Sequence, residues 1–94
     1  MAYLLEFKPT ALKEWSKLDN SVKSVFKKKL KEVLANPKIE SSRLSGLPNC
    51  YKIKLRSIGY RLIYQVNDDR IVVLVLAIGK RERSEAYKKA EDRL

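Results

Sequence analysis

Cys50-Tyr-Lys-Ile-Lys-Leu-Arg-Ser57, Gly59-Tyr-Arg-Leu-Ile-Tyr-Gln-Val66 and Ile71-Val-Val-Leu-Val-Leu-Ala-Ile78 are the three stretches that decide the fold. In the first, Tyr51, Ile53 and Leu55 alternate with Lys52, Lys54 and Arg56. In the second, Tyr60, Leu62, Tyr64 and Val66 alternate with Arg61, Ile63 and Gln65. A period of two marks half-buried strands, and Asn67-Asp68-Asp69-Arg70 supplies a turn into the third stretch. That last stretch is apolar throughout, as a central strand covered on both faces requires. Together the three predict a β-meander.

Register follows from burial. A slip of one residue would turn every side chain to the other face, so the apolar residues of the first two strands must share one. Leu55 is then expected opposite Tyr60, Ile53 opposite Leu62 and Tyr51 opposite Tyr64. Lys54 falls opposite Arg61 on the other face, with Lys52 two residues along. Across the next turn the same logic pairs Val66 with Ile71 and sets Leu76 beside Arg61, with Gly79-Lys80-Arg81 bringing more cations toward that face. Like charges directly opposite one another destabilise a sheet. A cluster of Lys52, Lys54, Arg61 and Arg81 is better explained by a ligand than by folding.

Working outward, residues 2–8 read as a short strand ended by Pro9. Thr10 can cap a helix in which Leu12, Trp15 and Leu18 recur at helical spacing. Asp19-Asn20-Ser21 breaks it and caps a second helix, whose stripe is Val22, Val25, Phe26, Leu30, Val33 and Leu34, and Asn36-Pro37 stops it. After Gly79, Ser84 can cap a short final helix carrying Tyr87, Ala90 and Leu94. The whole is an α+β domain spanning residues 1–94: a mainly antiparallel four-stranded sheet, two N-terminal helices on one face and a short C-terminal helix.

Composition narrows the function. The 94 residues carry 21 Lys and Arg against 11 Asp and Glu, a net charge of +10, so a polyanionic partner is the first expectation. Residues 35–66 hold Lys38, Arg43, Lys52, Lys54, Arg56 and Arg61 against Glu40 alone, which concentrates the charge on the predicted hairpin. There is no histidine, which removes histidine triads, histidine-ligated zinc and nucleases built on paired imidazoles. One cysteine, Cys50, cannot staple the chain to itself. No run approaches the roughly 20 apolar residues of a membrane span, and the opening residues lack a signal peptide's basic start. The expected setting is the reducing cytoplasm, with no membrane.

Cations without histidine suit one reaction. RNA is cut without metal or water when its own 2′-hydroxyl attacks the adjacent phosphate, and fixed Arg and Lys stabilise the charge that gathers on phosphorus. The base must come from elsewhere. A lysine crowded by cations has its pKa lowered, so either Lys52 or Lys54 can serve as a neutral base. Tyr87 can position the 2′-hydroxyl or stack on an unpaired base, or simply pack against the sheet. No metal or other cofactor is expected, because no carboxylate besides Glu40 falls in the cationic stretch and Asp68-Asp69 sits in a turn.

The hairpin stretches, Gly79-Lys-Arg-Glu-Arg-Ser-Glu-Ala-Tyr87 and the opening Met-Ala-Tyr-Leu-Leu-Glu-Phe7 with Ala11-Leu-Lys-Glu-Trp15 closely resemble the RelE toxins of bacterial toxin–antitoxin systems, over essentially the whole chain. The resemblance implies a microbial-RNase-like fold. The implied activity is that of a metal-independent, ribosome-dependent endoribonuclease. Such an enzyme enters the A site of the 70S ribosome, cuts mRNA to a 2′,3′-cyclic phosphate and so inhibits translation. It implies a RelB-like antitoxin that wraps the toxin and displaces its C-terminal helix, with the free toxin a monomer. Carried over by position, Lys52 and Lys54 are base or phosphate clamp, Arg61 steadies the transition state, Arg81 lies near the leaving group and Tyr87 is the C-terminal tyrosine. Arginine is too weak an acid for simple proton donation. Ser45 stands before Gly46 where similar toxins can carry a basic residue, and Arg43 lies two positions earlier.

Candidate contacts to RNA or ribosome are Lys23, Lys27, Lys28, Lys31, Arg43, Arg56, Lys80 and Arg83. The lysine run Lys23 to Lys31 also reads as a solvated helix face. Tyr51, Tyr60, Tyr64 and Trp15 read as core, and Cys50 as a small strand-edge residue without chemistry. The rival function is a non-catalytic toxin resembling ParE, which inhibits DNA gyrase by binding. Such a protein has no chemical reason to hold Lys52, Lys54, Arg61, Arg81 and Tyr87 together.

Overall fold

The computed structural model of the chain describes residues 2–80 and 85–94. Its elements run β1 (Leu4–Phe7), α1 (Pro9–Ser16), α2 (Asn20–Ala35), a 3₁₀ turn (Glu40–Ser42), β2 (Cys50–Leu55), β3 (Tyr60–Asn67), β4 (Val72–Lys80) and α3 (Glu85–Arg93). The strands form one sheet in the order β1-β4-β3-β2. The β2–β3 and β3–β4 pairings are antiparallel, whereas β1 runs parallel to β4. The sheet is therefore mixed. Parallel neighbours need a long connection, and both first helices and the rest of the meander separate β1 from β4.

Pro9 opens α1 rather than merely ending β1: it occupies the first helical position, where its missing N–H costs nothing. The cap position is Lys8, with no side-chain cap bond, so Thr10 lies inside the helix and does not cap it. Ala11 is the buried residue of α1, and Trp15 and Leu18 pack at the core margin. Leu12 is 52 % exposed, a correction to its expected place in the stripe. The buried strip runs through Ala11, Trp15 and Leu18 at i, i+4 and i+7, and Leu12 lies a step of about 100° off it. In α2, Val22, Phe26, Leu30 and Val33 are buried, with Val25 and Leu34 at the flanks.

Two apolar clusters sandwich the sheet. One joins Ala11 and the α2 stripe to Ile53, Leu62, Tyr64, Val75 and Ile78, with Trp15 set between Phe7 and Phe26 at ring distances of 5.4 and 6.2 Å. The other joins Cys50, Ile63, Leu76 and Ala77 to Ala86 and Ala90 of α3. Each large side chain fully buried here contributes roughly 1.5–3 kcal/mol. Tyr64 also donates its hydroxyl to the Pro37 carbonyl at 2.8 Å, so the buried phenol is satisfied.

The first hairpin has the expected register, with Leu55 opposite Tyr60, Ile53 opposite Leu62, Tyr51 opposite Tyr64 and Lys54 opposite Arg61. The second does not. Val66 pairs with Val73, not Ile71, and Arg61 with Gly79, not Leu76. Two features move it. Ile71 belongs to the turn, held at a left-handed φ of 56°. A bulge at Leu76 then breaks the alternation, since Tyr64 pairs with Val75 but Ile63 pairs with Ala77. The extra residue sends Ala77 and Gly79 to the face that Ile63 and Arg61 share, where α3 lies.

Candidate active site

Lys54 and Arg61 meet across the hairpin because β2 and β3 bury their tyrosines and aliphatics on the opposite face. With Leu55 and Arg56 they line a cleft of about 320 Å³. Arg61 is half-buried, and its Nε is buried with no hydrogen-bond partner among the described residues. Such an orphan costs on the order of 1–3 kcal/mol. The ion pairs found among the described residues involve none of Lys52, Lys54, Arg56 and Arg61.

The crowding has a consequence for protonation. The Lys52 charge, then desolvation and the charges of Arg61 and Arg56 hold the Lys54 ammonium below the usual lysine pKa. The cationic surface continues around the outer edge of β2 into a cleft of about 410 Å³ shared by Lys29, Ser41, Ser42, Lys52, Lys54 and Arg56.

Tyr87 approaches from α3. Its hydroxyl donates to the Ser45 carbonyl at 2.9 Å, and its ring packs on the cluster of Leu44, Leu47 and Ile63. Gly46 takes a φ of +85° beside it, and a β-carbon there would stand 3.5 Å from the tyrosine oxygen. The positions of Ser45 and Gly46 thus matter as a backbone seat for the phenol. Ile63 lies two residues from Arg61 on the same face, so α3 and the cation pair share that side of the sheet.

The other candidates scatter. Arg81 and Arg83 lie outside the described residues, as does Ser84. Lys80 is exposed and pairs with Tyr60, so strand alternation sends it to the face away from Arg61. Arg43 bridges Tyr51 and forms an exposed pair with Glu40 at 3.7 Å. Lys27 and Lys31 flank an apolar groove with Leu5, Phe7 and Trp15, at the sheet edge opposite to β2. Lys23 is half-buried and Lys28 exposed on α2. Lys29, part of the lysine run that reads as a solvated helix face, lines two clefts with Lys54 and Arg56. Its signal is spacing: Val25, Lys29 and Val33 follow at i, i+4 and i+8, which puts this lysine on the flank of the buried stripe. Cys50 is fully buried, donates to the Pro48 carbonyl at 3.3 Å, and burial pushes its thiol up to about 11.

A small mixed sheet with a cation pair open on one face and a C-terminal helix set beside it defines a small basic α+β domain. The chain belongs to the ParE toxin family of type II toxin–antitoxin systems, whose model matches residues 5–85. It is 58 % identical over 94 residues to the mRNA interferase toxin RelE of Escherichia coli (strain K12), covering 100 % of this chain and 99 % of that one. A mutant of E. coli toxin RelE in the free state superposes with a TM-score of 0.92 at 56 % identity, covering 100 % of this chain and 99 % of the other. The toxin in the intact E. coli RelBE toxin–antitoxin complex gives 0.84 at 58 % identity, over 87 % of this chain and 100 % of that one.

Proposed function

We propose that this protein is the toxin of a type II toxin–antitoxin pair and an mRNA endonuclease that acts on ribosome-bound message. The observation that carries the reading is the pairing of Lys54 with Arg61 in an open cleft, one with a depressed ammonium pKa and the other with an unpartnered buried Nε. Neutral Lys54 takes the proton of the 2′-hydroxyl. The O2′–P bond forms as the P–O5′ bond breaks, and Arg61 with Lys52 offsets the charge on the phosphoryl oxygens. Tyr87 orients the attacking ribose, the family resemblance assigns Arg81 to the leaving-group side, and O5′ takes a proton from solvent water as it leaves. The products are a 2′,3′-cyclic phosphate and a free 5′-hydroxyl.

Full-length identity to an mRNA interferase supports this reading over gyrase inhibition. A base with no imidazole needs a substrate already held in line, and that is the physical case for the ribosome as a template. Arg43, Arg56 and the α2 lysines add affinity for RNA without sequence choice. The partner is a RelB-like antitoxin, by analogy with the E. coli complex, and on this reading the free toxin is a monomer acting in the cytoplasm. Among the described residues no helix is long and apolar enough to cross a membrane.

The test is end mapping on one mRNA, supplied naked and on programmed ribosomes with an empty A site. Cleavage at a fixed codon position on ribosomes alone, lost in Lys54→Ala and Arg81→Ala, is the expected result. No cleavage in either form, together with inhibition of gyrase supercoiling, overturns it in favour of a ParE-like binder.

A further inference from the structure

β1 ends its pairing with β4 at Phe7 and Val75, so from Leu76 onward no strand among the described residues lies beside the outer edge of β4. Glu14 and Arg93 occupy that edge instead. Glu14 Oε1 accepts from the Ile78 N–H at 3.0 Å, and Arg93 Nη1 donates to the Leu76 carbonyl at 2.8 Å. The two side chains also grip each other, with Nη1 to Oε1 at 2.9 Å and Nη2 to Oε2 at 3.1 Å. Lys89 Nζ reaches Oε2 at 2.8 Å, and Lys8 Nζ donates to the Arg93 carbonyl at 2.6 Å. The Glu14 and Arg93 side chains are 18 % and 20 % exposed, so this is a shielded, forked pair rather than a surface contact.

What it holds is α3. The fully buried side chains of that helix are Ala86 and Ala90, which offer little apolar area of their own. At 100° per residue, Tyr87 flanks the two alanines on one side and Lys89 with Arg93 flanks them on the other. The helix is thus pinned at both margins of its narrow buried strip, by Ser45 through Tyr87 and by Glu14 through Arg93 and Lys89. Releasing one margin lets the helix roll, and the phenol rolls with it.

We infer that Glu14 is a positioning residue: by completing the β4 edge and gripping Arg93 and Lys89, it fixes α3 and hence the place of Tyr87 on the face that carries Lys54 and Arg61. This rests on the nuclease reading of Tyr87 given above. A sequence scan finds no sign of it, because Glu14 is one acid on a charged helix and acts on groups 64 and 79 residues away.

The experiment is a double-mutant cycle on ribosome-bound mRNA, with kcat and KM measured separately and hydrogen exchange followed on the same proteins. Glu14→Ala should lower kcat on the order of 10–100-fold with KM little changed. Amide exchange should quicken in α3 and stay slow in β3 and β4. Glu14→Gln, which keeps an acceptor for Ile78 but loses the ion pairs, should show the same pattern more weakly and guards against simple misfolding. In a Tyr87→Ala background, Glu14→Ala should cost nothing further. Full additivity of the two losses overturns the inference, as does unchanged kcat in both Glu14 variants. If Lys54→Ala stops cleavage but Tyr87→Ala does not, the nuclease reading stands and the positioning role falls. If the wild-type protein cleaves nothing, the nuclease reading fails first.

Discussion

Lys54 and Arg61 stand directly opposite one another across β2 and β3, two like charges at a paired position of an antiparallel ladder. Nothing in the fold rewards this arrangement. Repulsion across the pair and the buried Arg61 Nε, which has no partner among the described residues, both disfavour the native state. Arg61→Leu should therefore raise stability by about 0.5–1.5 kcal/mol while abolishing cleavage. Urea denaturation beside a cleavage assay checks it, and a variant that is both inactive and less stable contradicts it.

Lys54 also sets a pH dependence. Its ammonium is held below the usual value of 10.5, with the Lys52 charge the leading cause. A base works in its neutral form, so single-turnover cleavage should rise with pH and level off above a midpoint below 10.5. Lys52→Ala removes the main source of repulsion, so its midpoint should move upward, toward that of an ordinary lysine. Arg56→Ala, the last and smallest of the causes, should move it less. A midpoint that falls or stays fixed in Lys52→Ala would remove Lys54 as the base.

This cation pair was legible in the sequence because alternation is strict there: shifting Lys54 away from Arg61 would expose Tyr51, Ile53 and Leu62. The second register was not legible, since a strand that is apolar at every position from Val72 to Ile78 carries no alternation to mark where the Leu76 bulge switches faces. β1 is similarly mute. Four residues with Leu4 66 % exposed give no period from which a parallel partner could be read. For the candidate site, residue type and short spacing pointed to Lys52, Lys54, Arg61 and Tyr87. The Ser45 carbonyl under Tyr87 and the Glu14 grip on α3 are long-range backbone and side-chain contacts with no local signature.

Glu14 should govern acid stability. Desolvation pushes its pKa up, but bonds from Arg93, Lys89 and the Ile78 amide outweigh that and leave it below the usual 4.5. A carboxylate depressed in the folded state stabilises it above the unfolded pKa, and that contribution is lost as pH falls through the folded value. Glu14→Gln should be less stable than the wild type by roughly 1–3 kcal/mol near neutrality. The two should converge as pH falls from 4.5 through the depressed folded value. Thermal melts from pH 7 downward measure this, and a gap that widens with acid refutes it.

Gly79 offers a route to α3 from beneath. It pairs with Arg61, and the Leu76 bulge places it on the helix side of the sheet. A β-carbon there would lie 3.1 Å from the Ala86 amide nitrogen and 3.4 Å from its α-carbon. Those atoms are helix backbone, so the whole of α3 must lift where a flexible side chain would merely swing aside. The Glu14, Arg93 and Tyr87–Ser45 contacts resist that movement from both margins. Gly79→Ala should consequently cost about 1–3 kcal/mol, expressed as faster hydrogen exchange in α3 and a fall in kcat, while β2 and β3 keep their protection. Gly59 is the control: it turns the β2–β3 hairpin at a φ of +79° with nothing within 4 Å of a β-carbon. Gly59→Asn, which tolerates that φ, should leave α3 exchange unchanged. Equal loosening of α3 by both substitutions would mean that the helix responds to global stability rather than to its seat on Gly79.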